Sequence, residues 1–93
     1  MRLTQNEISV IKKSVLNVDS QAKIYLFGSR VNDFAKGGDI DILVISGKIG
    51  FAEKIKIRLS IFKNIEERKL DLVVKKDFND TFVKMIEPDL QCL

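Results

Sequence analysis

Apolar residues recur at intervals of three and four in several stretches of the chain, and this spacing predicts α-helices. The first helix is predicted over 4–17, where the sequence TQNE is typical of a capping box formed by Thr4 and Glu7. A short final helix is predicted over 79–87, and Pro88 favours its end there. The candidate caps of this last helix are Asp77 and Asn79.

Three short apolar runs, over 23–27, 39–46 and 69–75, are rich in β-branched and aromatic residues and predict strands. The second run is apolar at nearly every position after its first carboxylates, so we expect both of its faces to be covered. The predicted order α-β-α-β-α-β-α indicates an α/β (α+β) fold, a small mixed sheet flanked by helices. We expect the tail, 89–93, to be loosely ordered.

Residues 51–65 fit two patterns. Alternation of apolar and polar residues over 55–61 is typical of a strand, whereas the length without a turn signal favours a helix. A crossover is also needed between the flanking strands, so we predict a helix. Its expected core stripe consists of Phe51, Ile55, Leu59 and Phe62. Ile57 and Ile61 would then face solvent, either as a small partner surface or as two isolated surface residues.

Composition narrows the possible chemistry. The 93 residues predict one domain, 1–93, and 45% hydrophobic with 31% charged residues is typical of a soluble globular chain. No spanning segment or signal peptide is recognisable, and the single Cys92 cannot form an internal disulfide, so we expect a cytoplasmic protein. The absence of His excludes Ser-His-Asp and Cys-His mechanisms. The mild net charge of +3 does not by itself indicate nucleic-acid binding.

Three aspartates carry the strongest chemical signal. Asp39 and Asp41 are two residues apart at the start of a strand, so their side chains point to the same face. If the strand that contains Asp71 is the neighbouring one, the three carboxylates can hold two magnesium ions for phosphoryl or nucleotidyl transfer. A lone Asp-x-Asp is common by chance. Asp71 could instead pair with Lys69 or Arg68.

A glycine ends the first strand at Gly28, where a ligand can approach the main chain closely. Ser29 is placed to cap a short helix predicted over 30–35. The start of such a helix offers free N–H groups and a partial positive charge, which favour an anion. The sequence therefore predicts an anion site at the start of this helix.

In combination these motifs resemble the polymerase-β-like nucleotidyltransferase superfamily, whose signature is hydrophobic-Gly-Ser, a spacer of about ten residues and Asp-x-Asp. The matching segments are Phe27-Gly28-Ser29, Asp39-Ile40-Asp41 and Leu70-Asp71-Leu72. The likeness covers residues from about 8 to 86. The short length and the sequence GSR…GGDIDILV are most similar to the minimal nucleotidyltransferases, the MNT antitoxins paired with HEPN toxins.

The resemblance implies roles for six residues. The two magnesium ions would be held by Asp39, Asp41 and Asp71, which would form the catalytic centre. The phosphates of ATP would be bound by Gly28, Ser29 and Arg30. Relatives of this type transfer AMP from ATP to a tyrosine of the HEPN partner. This activity, AMPylation by an antitoxin of a toxin–antitoxin system, is therefore the expected function.

Two other functions stay open at this point. The same fold could neutralise its partner by complex formation alone, with an inactive nucleotide site. An RNA-modifying transferase is disfavoured, because no basic strip with interleaved aromatic residues is present. We expect neither a membrane nor a nucleic acid as partner, and the oligomeric state is left open.

Overall fold

The computed structural model describes residues 4–27, 40–64 and 70–93, which contain three helices and four strands. The elements are α1 (Gln5–Leu16), β1 (Lys23–Leu26), β2 (Ile40–Ile45), α2 (Phe51–Asn64), β3 (Leu70–Lys75), α3 (Thr81–Ile86), a 3₁₀ helix (Glu87–Asp89) and β4 (Gln91–Cys92). The predicted helix over 30–35 lies outside these residues. None of the helices in the described segments combines the length and the hydrophobicity of a membrane span.

The strands form one mixed sheet in the order β3-β2-β1-β4. β2 and β3 run parallel with α2 as their crossover, whereas β1 is antiparallel to both β2 and β4. The sheet and its helices confirm the predicted α+β fold. They are compatible with a nucleotidyltransferase fold.

Helices cover both faces of the sheet. On one face, α1 and α2 bury Ile11 and Ile61 against Ile42 of β2. On the other face, α3 buries Val83 against Leu43, the neighbouring residue of the same strand. Because alternate side chains of a strand point to opposite faces, β2 contributes to both cores, as predicted.

The starts of α1 and α3 are stabilised by side-chain caps. At α1 the predicted capping box is present: the Glu7 N–H donates to Thr4 Oγ1 at 3.1 Å, and the Thr4 N–H donates to Glu7 Oε1 at 2.9 Å. At α3 the predicted caps were wrong. The cap is Asp80, whose Oδ1 accepts from the Phe82 N–H at 2.8 Å, whereas Asp77 accepts from Asn79 within the preceding turn.

The prediction of a helix over 51–65 is confirmed, but the predicted orientation of that helix was wrong. Ile57 and Ile61 are buried, at 1% and 0% exposure, although they were expected to face solvent. The stripe expected in the core is largely outside, with Phe51 80%, Ile55 43% and Leu59 66% exposed. The helix is therefore turned by more than a third of a revolution from the predicted orientation.

Polar contacts explain this orientation. Ser60 Oγ lies 3.0 Å from Ser14 Oγ of α1, which fixes one side of α2 against its neighbour. On the other side the Arg58 guanidinium donates to the Leu70 carbonyl of β3 at 3.0 Å. In each contact the two partners are distant in sequence. The spacing of apolar residues within the helix alone could therefore not predict these contacts.

The chain end also differs from the prediction. The tail was expected to be loosely ordered, but β4 pairs with β1, placing Cys92 opposite Tyr25 and Gln91 opposite Leu26. The Leu93 N–H extends the contact by donating to the Ile24 carbonyl at 3.0 Å. This short strand covers the outer edge of β1, which would otherwise expose unpaired backbone groups.

Candidate active site

A row of three residues crosses the sheet near the beginning of the parallel strand pair. Asp41 of β2 and Asp71 of β3 are direct register partners, on strands that are about 4.8 Å apart. On the other side of Asp41, the Phe27 N–H donates to the Asp41 carbonyl at 3.0 Å. The order across the sheet is thus Phe27, Asp41, Asp71.

Both carboxylates belong to the face of the sheet that carries α3. Leu43 and Val73, two residues further along their strands, pack in the α3 core, and side chains two apart share a face. Asp41 is half-buried and Asp71 is exposed. The α3 face is therefore open to solvent at the β3 end of this row.

The Phe27 end of the row is closed by an aromatic contact. Phe27 is buried, and its ring meets Phe82 of α3 edge-to-face, with centroids 5.8 Å apart and an interplanar angle of 82°. This contact fixes the residue that immediately precedes the Gly-Ser motif. The sequence did not predict the backbone hydrogen bond between Phe27 and Asp41. It did not predict this ring contact either. The apolar character of Phe27 was the one feature of the sequence that could have indicated a buried contact at this position.

The structure brings together two of the six predicted site residues, Asp41 and Asp71. The other four, which are Gly28, Ser29, Arg30 and Asp39, lie outside the described residues. Ile40 is the partner of Leu70, one position before the aspartate pair.

The two described carboxylates have the chemistry expected of ligands for a hard divalent cation. They are oxygen donors, they occupy the same register position on neighbouring strands, and one of them is open to solvent. Within the described residues no group of three or more potential metal ligands is found. Asp41 and Asp71 therefore fit part of such a site.

A second polar network lies at the opposite end of β2. Buried Asp19 accepts hydrogen bonds from Ser46 Oγ at 2.5 Å and from the Gln21 N–H at 2.9 Å. Ser46 Oγ in turn accepts from the N–H groups of Lys48 and Ile49. The bonds from Ser46 and then Gln21 hold the pKa of Asp19 below its ordinary value of 3.8. This network fastens the loop after α1 to the loop after β2.

Fold and site together define an α+β domain with paired carboxylates on an open face of a mixed sheet. A family model described as nucleotidyltransferase domain matches residues 8–90, and the chain belongs to that family. The match indicates nucleotidyl transfer as the general activity, and such domains typically use a nucleoside triphosphate and a divalent metal ion. Comparison with curated proteins gives no match.

Proposed function

We propose that this protein is a magnesium-dependent adenylyltransferase that transfers AMP from ATP to a tyrosine hydroxyl of a HEPN-type partner protein, as the antitoxin of a toxin–antitoxin pair. The observation that carries the proposal is the register pairing of Asp41 with Asp71 on an open face of the sheet. The family supports nucleotidyl transfer, and the choice of acceptor rests on the sequence resemblance.

Asp41 and Asp71, with Asp39, are the residues that would hold two magnesium ions. When bound, the metal lowers the pKa of an attacking hydroxyl and stabilises the charge of the leaving pyrophosphate. The side chains themselves need no proton transfer for this role, which suits a chain without His. The exposure of Asp71 supports an acceptor that arrives from solvent on the α3 face.

Gly28, Ser29 and Arg30 are the residues we assign to the triphosphate. Phe27 supports this assignment, because its N–H donates to the Asp41 carbonyl and it immediately precedes Gly28 in the sequence. In the proposed step the acceptor oxygen forms a bond to the α-phosphorus, and the bond between that phosphorus and the bridging oxygen breaks. Pyrophosphate leaves with the electron pair, and the hydroxyl proton passes to solvent.

The test is label transfer from ATP radiolabelled at the α-phosphate to the protein encoded beside this chain, in the presence of Mg²⁺. We expect Asp71→Asn to lower the rate by roughly 100-fold or more, because a charged group beside the reacting phosphate is removed. Asp77→Asn is the matched control, since Asp77 is an exposed aspartate that follows β3 at the end of the sheet opposite the row. It should keep the full rate.

The circular dichroism spectrum of Asp71→Asn should equal that of the unsubstituted chain, so that lost transfer is not lost folding. Equal rates in the Asp71→Asn and unsubstituted proteins would contradict the proposal. If the unsubstituted chain inhibits the partner's ribonuclease activity without labelling it, neutralisation by complex formation is the function instead.

A further inference from the structure

The outer surface of α2 carries a line of exposed apolar side chains. Phe51 is 80% exposed, Ile55 43% and Leu59 66%, which are high values for residues of this type. They are spaced four residues apart, so they follow one side of the helix over about 12 Å. We call these three residues the α2 stripe.

The α2 stripe points away from the protein interior. The buried residues of the same helix, Ile57 and Ile61, pack against the face of the sheet that α1 also covers. Asp41 and Asp71 belong to the opposite, α3 face. A molecule bound to the stripe would therefore leave the candidate active site accessible.

Basic residues flank the stripe. α2 has the sequence FAEKIKIRLSIFKN, with four basic residues and one acidic residue. Lys56 and Lys63 are exposed on one side of the stripe, and Lys54 is half-buried on the other. The one acidic residue, Glu53, accepts a hydrogen bond from the Gly50 N–H at 2.9 Å. Among the described residues of α2, those that flank the stripe are thus mostly positively charged.

We propose that the α2 stripe binds an acidic amphipathic helix of a partner protein. Apolar side chains of such a helix, spaced three and four residues apart, would cover Phe51, Ile55 and Leu59. Its flanking carboxylates would face Lys56 and Lys63, and complementary charge of this kind selects partners and steers association.

A second copy of this chain fits the stripe less well. Two α2 helices packed against each other would bring Lys54 and Lys56 of each copy close to the lysines of the other. Three partly exposed side chains also offer only a few hundred Å², whereas a stable dimer buries about 800 Å² on each partner. Charge and area therefore both favour a short acidic helix.

The test uses two fluorescent helical peptides that share the same leucines at helical spacing and differ in their flanking residues, glutamate in one and lysine in the other. Fluorescence anisotropy with the full chain should give binding of the glutamate peptide at least about tenfold tighter than that of the lysine peptide. The double variant Phe51→Ser/Leu59→Ser should lose this binding. The double variant Lys56→Glu/Lys63→Glu should reverse the preference.

Met85→Ser is the matched control, because Met85 is an apolar residue with 68% exposure on α3. It should bind the glutamate peptide normally. The stripe variant should also keep the magnesium-ATP binding of the unsubstituted chain, which separates failure here from failure of the proposed enzymatic function.

Equal affinity for the two peptides, or undetectable binding of both, would overturn the proposal. So would a concentration-dependent dimer in light scattering that the Phe51→Ser/Leu59→Ser substitution abolishes, because the occupant would then be a second copy. Binding to vesicles of anionic lipid that depends on the stripe, without binding to the glutamate peptide, would assign the surface to a membrane.

Discussion

At the scale of single residues, the candidate site places like charges side by side. Asp41 and Asp71 are register partners on neighbouring strands, where ionised carboxylates repel each other. Exposure of Asp71 lets water reduce this repulsion, and a bound cation would remove it. Paired carboxylates are oxygen ligands of the kind that a hard divalent cation takes, so the pair supports the proposed chemistry.

Asp19 differs from this pair, because hydrogen bonds from Ser46 and Gln21 stabilise its carboxylate inside the fold. We expect Asp19→Asn to lower the melting temperature near neutral pH by about 5–10 °C, since the bond from Ser46 weakens at a buried position. The lowered pKa of Asp19 means that its ionised form favours the folded state, so the contribution is present above 3.8. It is lost as pH falls through the lower folded-state value.

Thermal unfolding of the two proteins at a series of pH values checks this prediction. The difference in melting temperature should be largest near neutral pH and should shrink as the pH falls below 3.8. Asp89→Asn, at an exposed position, serves as the control and should shift the melting temperature little. A difference between the Asp19→Asn and unsubstituted proteins that is independent of pH would contradict a role for the carboxylate charge.

At the scale of helices and strands, the local sequence predicted most elements to within one residue. It failed where contacts distant in sequence decide the outcome. The capping box of α1 is local, and it was predicted correctly from Thr4 and Glu7. The orientation of α2 depends on Ser14 and on the Leu70 carbonyl, which no pattern within the helix reveals. β4 likewise exists because β1 offers it an unpaired edge.

The orientation of α2 gives a direct prediction about stability. Ile61 is fully buried, so Ile61→Ala should lower the free energy of unfolding by about 2–5 kcal/mol through lost apolar contact and a remaining cavity. Leu59→Ala removes a side chain that is 66% exposed and should change it by less than about 1 kcal/mol. Urea unfolding of both variants measures the difference. A larger loss of unfolding free energy for Leu59→Ala than for Ile61→Ala would support the orientation predicted from the sequence instead.

The candidate site could be predicted only in part, because some of its contacts join residues that are distant in sequence. Two aspartates on strands of known direction can be aligned by register once the strands are neighbours, and Asp41 and Asp71 are aligned in this way. The hydrogen bond between Phe27 and Asp41 depends on the antiparallel pairing of β1 with β2. The sequence alone could not show this pairing, because nothing local to either strand specifies its partner.

At the scale of the whole molecule, the two faces of the sheet have different roles. The α1 and α2 side contains the larger core and presents the α2 stripe outward. The α3 side contains a smaller core built around Leu43 and Val83, and the carboxylates belong to it. Among the described residues, the six-residue α3 packs on this side, and Asp71 is exposed there.

This arrangement predicts that ligand binding stabilises the whole fold. A ligand that binds only the folded state at about ten times its Kd adds about 1.4 kcal/mol, or roughly 5–10 °C in melting temperature for a domain of this size. We expect this shift when ATP and Mg²⁺ are added together, and little shift with either alone. Asp71→Asn should remove it, whereas Phe51→Ser/Leu59→Ser should retain it, because the α2 stripe lies on the other side of the sheet. Differential scanning fluorimetry measures the shift, and an equal shift with ATP in the presence of EDTA would show that nucleotide binding does not require the metal.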